Sequence, residues 1–230
     1  MKLAVVIISQ NQVRSMPGML SKLHRLKADR YWVLDRCTDD SENWLRQHGE
    51  TNIIVNTEGT GFLAGKMRDL GIDAVLSKGG YDAVLFLDGD RVPLKPVTNL
   101  AVLRAYHSFD IAMCPLESDI RLARPFRRFK DYQPNQFISC GFLIKVECLQ
   151  VVRELDFMNN RCFHEAFDGV YGYEDCYFGK VLKDIGYTIG WNNIVVKGAI
   201  IFDDFSKMVG LGSQRAIYET LYQQFGVHLS

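Results

Sequence analysis

The first 95 residues alternate short apolar runs with amphipathic helical patterns, and this alternation restricts the chain more than any other feature. Leu3–Ile8 reads as a strand, Gly18–Leu26 as a helix, Tyr31–Leu34 as a strand and Ser41–His48 as a helix. Ile53–Val55 follows as a strand, Phe62–Leu76 as a longer helix and Ala83–Leu87 as a fourth strand. A βαβαβ succession predicts an α/β domain whose central, mostly parallel sheet is flanked by helices in a Rossmann-like arrangement. Ligands of such sheets bind at the carboxyl ends of the strands, where Asp35 and the Asp88/Asp90 pair fall.

The second half is less regular. A helix near Val97–His107 and a strand at Ile111–Cys114 precede an irregular polar stretch over 117–136. A strand at Phe137–Lys145, a helix at Glu147–Leu155, a loop to Tyr173 and a helix over Asp175–Ile185 come next. Late strands near Thr188–Gly190 and Ala199–Phe202 lead to a final amphipathic helix around Gln214–Gln224. With 230 residues the expectation is one domain over 1–230, with a nucleotide-binding half in 1–95 and an acceptor-shaping half in 96–230.

Lys plus Arg and Asp plus Glu both number 27, so there is no overall basic bias toward nucleic acid or anionic membrane. The six cysteines form no Cys-x-x-Cys pair and read as mostly buried thiols in a reducing compartment. No stretch approaches the roughly 20 apolar residues of a membrane span, and the start lacks a signal-like segment. These features predict a soluble, cytoplasmic protein.

Asp88-Gly89-Asp90 closes the apolar run Val84–Leu87. Strand side chains alternate, so the two carboxylates can share a face, and Gly89 lets the backbone turn closely around what they hold. Hard oxygen ligands suit Mg²⁺ or Mn²⁺ with phosphate oxygens in the remaining positions. A strand-end turn with two solvated aspartates is the alternative. No Walker loop and no Gly-x-Gly-x-x-Gly follow the first strand, so bound phosphates must be neutralised by metal, basic side chains or helix N-termini.

Val33-Leu34-Asp35-Arg36-Cys37-Thr38-Asp39-Asp40-Ser41 resembles the "VDDGSTDDT" segment of family 2-like glycosyltransferases of the GT-A fold. Gly65-Lys66-Met67-Arg68-Asp69-Leu70-Gly71 is similar to that family's "ARNxG" helix, with Asp69 in place of asparagine. Asp88-Gly89-Asp90 corresponds to its Asp-x-Asp motif, and Ser139–Lys145 to the small-residue strand of the sugar pocket. Phe163-His164-Glu165-Ala166-Phe167 and Gly172-Tyr173-Glu174-Asp175 resemble its "FDExF…GxED" stretch, with His164 in place of an acidic residue.

The resemblance implies a metal-dependent, inverting glycosyltransferase that moves a sugar from a nucleotide-diphosphate sugar, a UDP-sugar first, to an acceptor hydroxyl. Asp88 and Asp90 would hold Mn²⁺ or Mg²⁺. Asp35, Arg68, Lys66, Asp88 and Gly141 would bind the donor, with Thr38 and Asp39 capping the next helix. Asp175 would be the general base and Glu174 would orient acceptor or sugar. Many relatives supply a histidine as third metal ligand; none stands between Trp191 and Val227, and Asp203, Asp204 or His228 are the substitutes. Lys66 and Arg68 read alternatively as solvated helix charges, beside the stripe Leu63, Met67, Leu70, Ala74.

Arg121, Arg124, Arg127, Arg128 and Lys130, interleaved with Phe126 and Phe129, form a local basic cluster. It is either a solvated loop or, with Tyr173, part of an acceptor site. Glycan or lipid-linked glycan acceptors lead; a phage-type enzyme acting on hydroxymethylated DNA bases is an alternative. Two further classes compete. A sugar nucleotidyltransferase should carry a Gly-rich basic loop where Ser9-Gln10-Asn11-Gln12 stands, and a non-catalytic nucleotide-sugar-binding module would not need both carboxylate motifs.

Overall fold

In this computed structural model residues 1–115, 141–169, 174–198 and the positions 220, 221 and 223 are described. The first half runs β1 (Leu3–Ser9), α1 (Met16–Leu23), β2 (Asp29–Asp35), α2 (Ser41–Gln47), β3 (Asn52–Asn56), α3 (Ala64–Lys78) and β4 (Ala83–Asp88). A short β5 (Arg91–Pro93), α4 (Asn99–Ser108) and β6 (Ile111–Met113) follow. Beyond them come β7 (Gly141–Lys145), α5 (Val146–Arg153), α6 (Glu174–Ile185), β8 (Ile189–Trp191) and β9 (Val196–Gly198). Two 3₁₀ turns, Asp156–Met158 and Glu165–Phe167, break the stretch expected to be loop before α6.

Seven strands form one sheet in the order β3-β2-β1-β4-β7-β6-β8. The β1–β2, β1–β4, β2–β3 and β6–β8 pairs are parallel, whereas β7 runs against both β4 and β6. The sheet is therefore mostly parallel, as the alternation predicts. Because β7 is reversed, its first residue, Gly141, pairs with Leu87 at the end of β4 and starts at the carboxyl edge of the sheet.

The apolar runs of β1 and β4 are buried on both faces, as strands covered by helices must be. Their period of two divides the core cleanly. Ala4, Val6, Val84 and Phe86 pack with α3, α5 and α6, while Val5, Ile7, Leu85 and Leu87 pack with α1, α2 and α4. Phe86 stacks on Phe142 across the β4–β7 pair at 4.7 Å, a contact worth about 0.5–1.5 kcal/mol beyond area burial.

Helix α1 starts at Met16, ahead of the expected Gly18, because Pro17 in its first turn presets the helical φ. The β5–β9 ribbon has no counterpart in the sequence expectation; three-residue strands are too short to show a period. The basic cluster 121–130, residues 137–140, the strand expected at 199–202 and most of the final helix lie outside the described residues. No helix among the described residues is long and apolar enough to cross a membrane.

Candidate active site

Asp35 closes β2 and Asp88 closes β4, with β1 and its terminal Ser9 between them. Asp35 is buried, and its Oδ1 accepts from Arg36 Nε (2.8 Å) and Asn56 Nδ2 (2.8 Å). Its Oδ2 accepts from Arg36 NH2 at 2.6 Å. Arg36 also donates to the carbonyls of Gly59 (3.0 Å) and Gly61 (2.7 Å), tying β2 to the approach to α3.

The N-cap of α2 is Asp40, which makes no side-chain cap; Asp39, one residue earlier, accepts from Ser41 N through Oδ1 at 3.1 Å. Thr38 does not cap. Its N–H and that of Asp39 donate to Asn11 Oδ1 (2.7 and 3.2 Å), and Val13 N donates to Asp39 Oδ2, so the loops after β1 and β2 are cross-linked.

Regular strand ends at Asp88, and Gly89 and Asp90 form a turn. The turn is held inward: Gly89 N donates to Ile8 O at 2.7 Å, and Ser15 Oγ donates to Gly89 O at 2.5 Å. A Cβ on residue 89 would lie 2.8 Å from Ser9 Oγ, so the close approach requires glycine. Asp88 is 22% exposed and Asp90 36%, with Arg91 Nε 3.6 Å from Asp90 Oδ1. Burial and the charge of Asp90 push Asp88 up to about 6, against the pull of Arg68.

Arg68 overturns the solvated-charge alternative: its side chain is only 2% exposed. One arm, NH2, donates to Asp88 Oδ1 at 2.8 Å, and the other, NH1, to Glu174 Oε1 at 3.4 Å. The helix stripe is wider than expected, since Arg68, Asp69, Ile72 and Val75 are buried with Met67. A Cβ on Gly65 would lie 2.9 Å from Phe163 Cβ and 3.4 Å from Glu174 Cγ, so glycine lets α3 approach the start of α6.

Glu174 is 7% exposed; its Oε2 accepts no hydrogen bond among the described residues. Burial and the neighbouring Asp175 push it up to about 7. Asp175 is half-buried at the start of α6, its Oδ1 accepting from Cys176 N at 2.7 Å. Lys66 is half-buried in the first turn of α3, and Gly141 is buried beside Cys114 and Leu87. Tyr173, Arg124, Arg127, Arg128, Asp203, Asp204 and His228 lie outside the described residues.

Asp69 has a role that the sequence comparison did not reveal. Its Oδ1 accepts from Cys162 N at 2.8 Å, and its Oδ2 from Arg161 Nε at 2.9 Å. Arg161 in turn grips Asp168 with both arms (2.8 and 3.0 Å), so α3 holds the stretch from Arg161 to Asp168. His164 Nδ1 accepts from Ala166 N at 3.2 Å inside that segment. The cues were present: a buried-face position of a periodic helix and an arginine between two aspartates' reach.

The donor set fits a hard cation. Four carboxylates, Asp88, Asp90, Glu174 and Asp175, interact electrostatically with two guanidiniums, Arg68 and Arg91, an excess of two negative charges when all are ionised. Among the described residues no three acidic, histidine or cysteine side chains gather as a cage. Mg²⁺-type sites use one or two carboxylates and take the remaining ligands from phosphate and water, a role for which Asp88 and Asp90 suffice.

No family model matches the chain, and no curated protein matches it. Solved structures do. Glucosyl-3-phosphoglycerate synthase from Mycobacterium tuberculosis, in complex with Mg²⁺ and uridine diphosphate, superposes with a TM-score of 0.65 at 14% identity, over 100% of this chain and 81% of that one. Mannosyltransferase PcManGT from Pyrobaculum calidifontis, in complex with GDP-mannose and Mn²⁺, gives 0.62 at 13%, over 100% and 65%. S. aureus TarS gives 0.62 at 13%, over 100% of this chain and 41% of its own. The chain has the GT-A glycosyltransferase fold.

Proposed function

We propose that the chain is a metal-dependent glycosyltransferase of the GT-A type, acting as one domain with a donor half in 1–95 and an acceptor half in 96–230. The observation that carries the reading is the strand-end pair Asp88/Asp90, joined through Arg68 to Glu174 at the start of α6. Asp88 and Asp90 would hold Mn²⁺ or Mg²⁺, which supplies charge neutralisation for the donor diphosphate when bound. The neighbours' uridine nucleotides favour a UDP-sugar as donor.

Asp35 serves the base or ribose through Oδ2, which carries one hydrogen bond where Oδ1 carries two. Half-buried Lys66 offers a cation near the phosphates, and Gly141, with no side chain, lets β7 approach Leu87 and Cys114 closely at the end of β4. Burial separates the roles of the two acidic residues on α6. Asp175 is accessible enough to take the proton of the acceptor hydroxyl as its oxygen attacks the anomeric carbon and the nucleoside diphosphate leaves from the other side. Glu174, enclosed beside Arg68, orients. The acceptor hydroxyl belongs to a glycan or lipid-linked glycan, with Tyr173, Arg124, Arg127 and Arg128 as its proposed binding residues.

The test is a thermal-shift panel of UDP- and GDP-sugars with and without Mn²⁺. A bound donor at 100 times its Kd stabilises the fold by about 2.7 kcal/mol. A shift that requires Mn²⁺ and follows one nucleotide supports the reading, and no shift with any donor overturns it.

A further inference from the structure

The resemblance puts Arg68 at the donor, yet its side chain is only 2% exposed. Its guanidinium instead divides between two carboxylates on different elements, NH2 to Asp88 on β4 and NH1 to Glu174 on α6. Phe163 closes a third side, its ring centroid 5.5 Å from the guanidinium carbon. We infer that Arg68 is a positioning residue that sets the metal-side carboxylate Asp88 and the acceptor-side carboxylate Glu174 as one array. The inference rests on the cation seat proposed at Asp88 and Asp90.

The physical argument is one of shape. A guanidinium is a rigid planar fork, so an oxygen fixed on one arm fixes the direction available on the other. Holding Asp88 Oδ1 leaves the second oxygen of that carboxylate for a cation, which is how outer partners orient metal-binding carboxylates. Gly65, one turn earlier on α3, permits the approach that brings Glu174 to the other arm. A lysine in this place would keep the charge and lose the fork. The cation seat and the acceptor side are then mechanically joined rather than built separately.

The experiment titrates Mn²⁺ into the full chain with UDP or GDP present, reading free Mn²⁺ by electron paramagnetic resonance and folding by thermal melt. Arg68→Met and Arg68→Lys are expected to raise the Kd for Mn²⁺ by about 10–100-fold, the usual loss for an outer-shell partner. Arg68→Met leaves two buried carboxylates without their cation; should that chain not fold, Arg68→Lys decides. Arg30→Lys, at the half-buried Arg30–Glu50 pair (2.7 Å) toward the other end of β2, is the control for a purely structural pair and keeps native Mn²⁺ affinity.

Glu174→Gln tests the joining. It shifts the Mn²⁺ Kd by about threefold or more in the native background and by less in the Arg68→Lys background, as expected for residues that share a partner. Native Mn²⁺ affinity in Arg68→Lys, or an additive cycle with Glu174→Gln, overturns the inference alone. A native chain that binds no Mn²⁺ with either nucleotide overturns the cation seat itself and the inference with it.

Discussion

The two carboxylates at the ends of β2 and β4 have opposite surroundings. Asp35 has an arginine of its own, the next residue in the chain, and a second donor in Asn56. Arg36 reaches it from φ 45°, a left-handed conformation that costs a non-glycine residue about 1–2 kcal/mol. Four hydrogen bonds from its guanidinium offset that strain. Asp88 must share Arg68 with Glu174, and Asp90 adds a like charge two residues on. A carboxylate with its own cation fastens loops, and the base or ribose proposed for Asp35 reaches only the acceptor capacity left on Oδ2. A carboxylate that shares its cation retains acceptor capacity and is suited to a ligand.

Asp88→Asn and Asp90→Asn are the largest expected breaks of that contrast. Each should abolish Mn²⁺-dependent donor binding in the thermal-shift assay while leaving the unliganded melting temperature unchanged or higher, because a repelling charge is gone. A marked loss of unliganded stability would make Asp88 a fastening like Asp35. Asp35→Ala should act the other way, lowering stability by about 3 kcal/mol in urea unfolding, the lower range for breaking a buried pair. Little change in unfolding would remove the distinction.

Asp175→Asn comes next. It should leave Mn²⁺-dependent donor binding near native and lower turnover by about 10²-fold, the lower range for loss of a general base. Sugar transfer at native rates would rule out that role.

How much of this was legible in the sequence depends on the kind of signal. The parallel half was legible because buried strands such as Leu3–Ser9 are continuous apolar runs bounded by helical periods. The strand-end aspartates followed from the same reading. Arg68 was misplaced because periodicity alone cannot bury a charge; burial depends on Asp88 and Glu174, which lie 20 and 106 residues away. Nothing local in the sequence announces a left-handed arginine at position 36. The reversal of β7 likewise depends on pairing with β4 and β6, which no local pattern encodes.

Asp69 supplies the smallest and most discriminating test of the contrast, because it combines features of both ends. Like Asp35 it has an arginine and further donors, Arg161 and the N–H of Cys162. Like Asp88 it is pushed up to about 6, chiefly by burial, with those partners pulling it down. A raised carboxyl therefore marks burial and does not by itself mark a ligand seat. The folded pKa lies above the unfolded value near 3.9, so the folded state binds the extra proton. That contribution is fully present at low pH and is lost as pH rises through about 6. Between pH 5 and 7 the native chain should lose about 1 kcal/mol relative to Asp69→Asn, whose amide does not titrate. Urea unfolding of both chains at pH 5, 6 and 7, without metal, measures the difference. A gap that stays constant with pH would show that Arg161 and the backbone donors, rather than burial, govern this carboxylate, placing Asp69 with Asp35 and leaving the upward shift a property of the Asp88–Glu174 cluster.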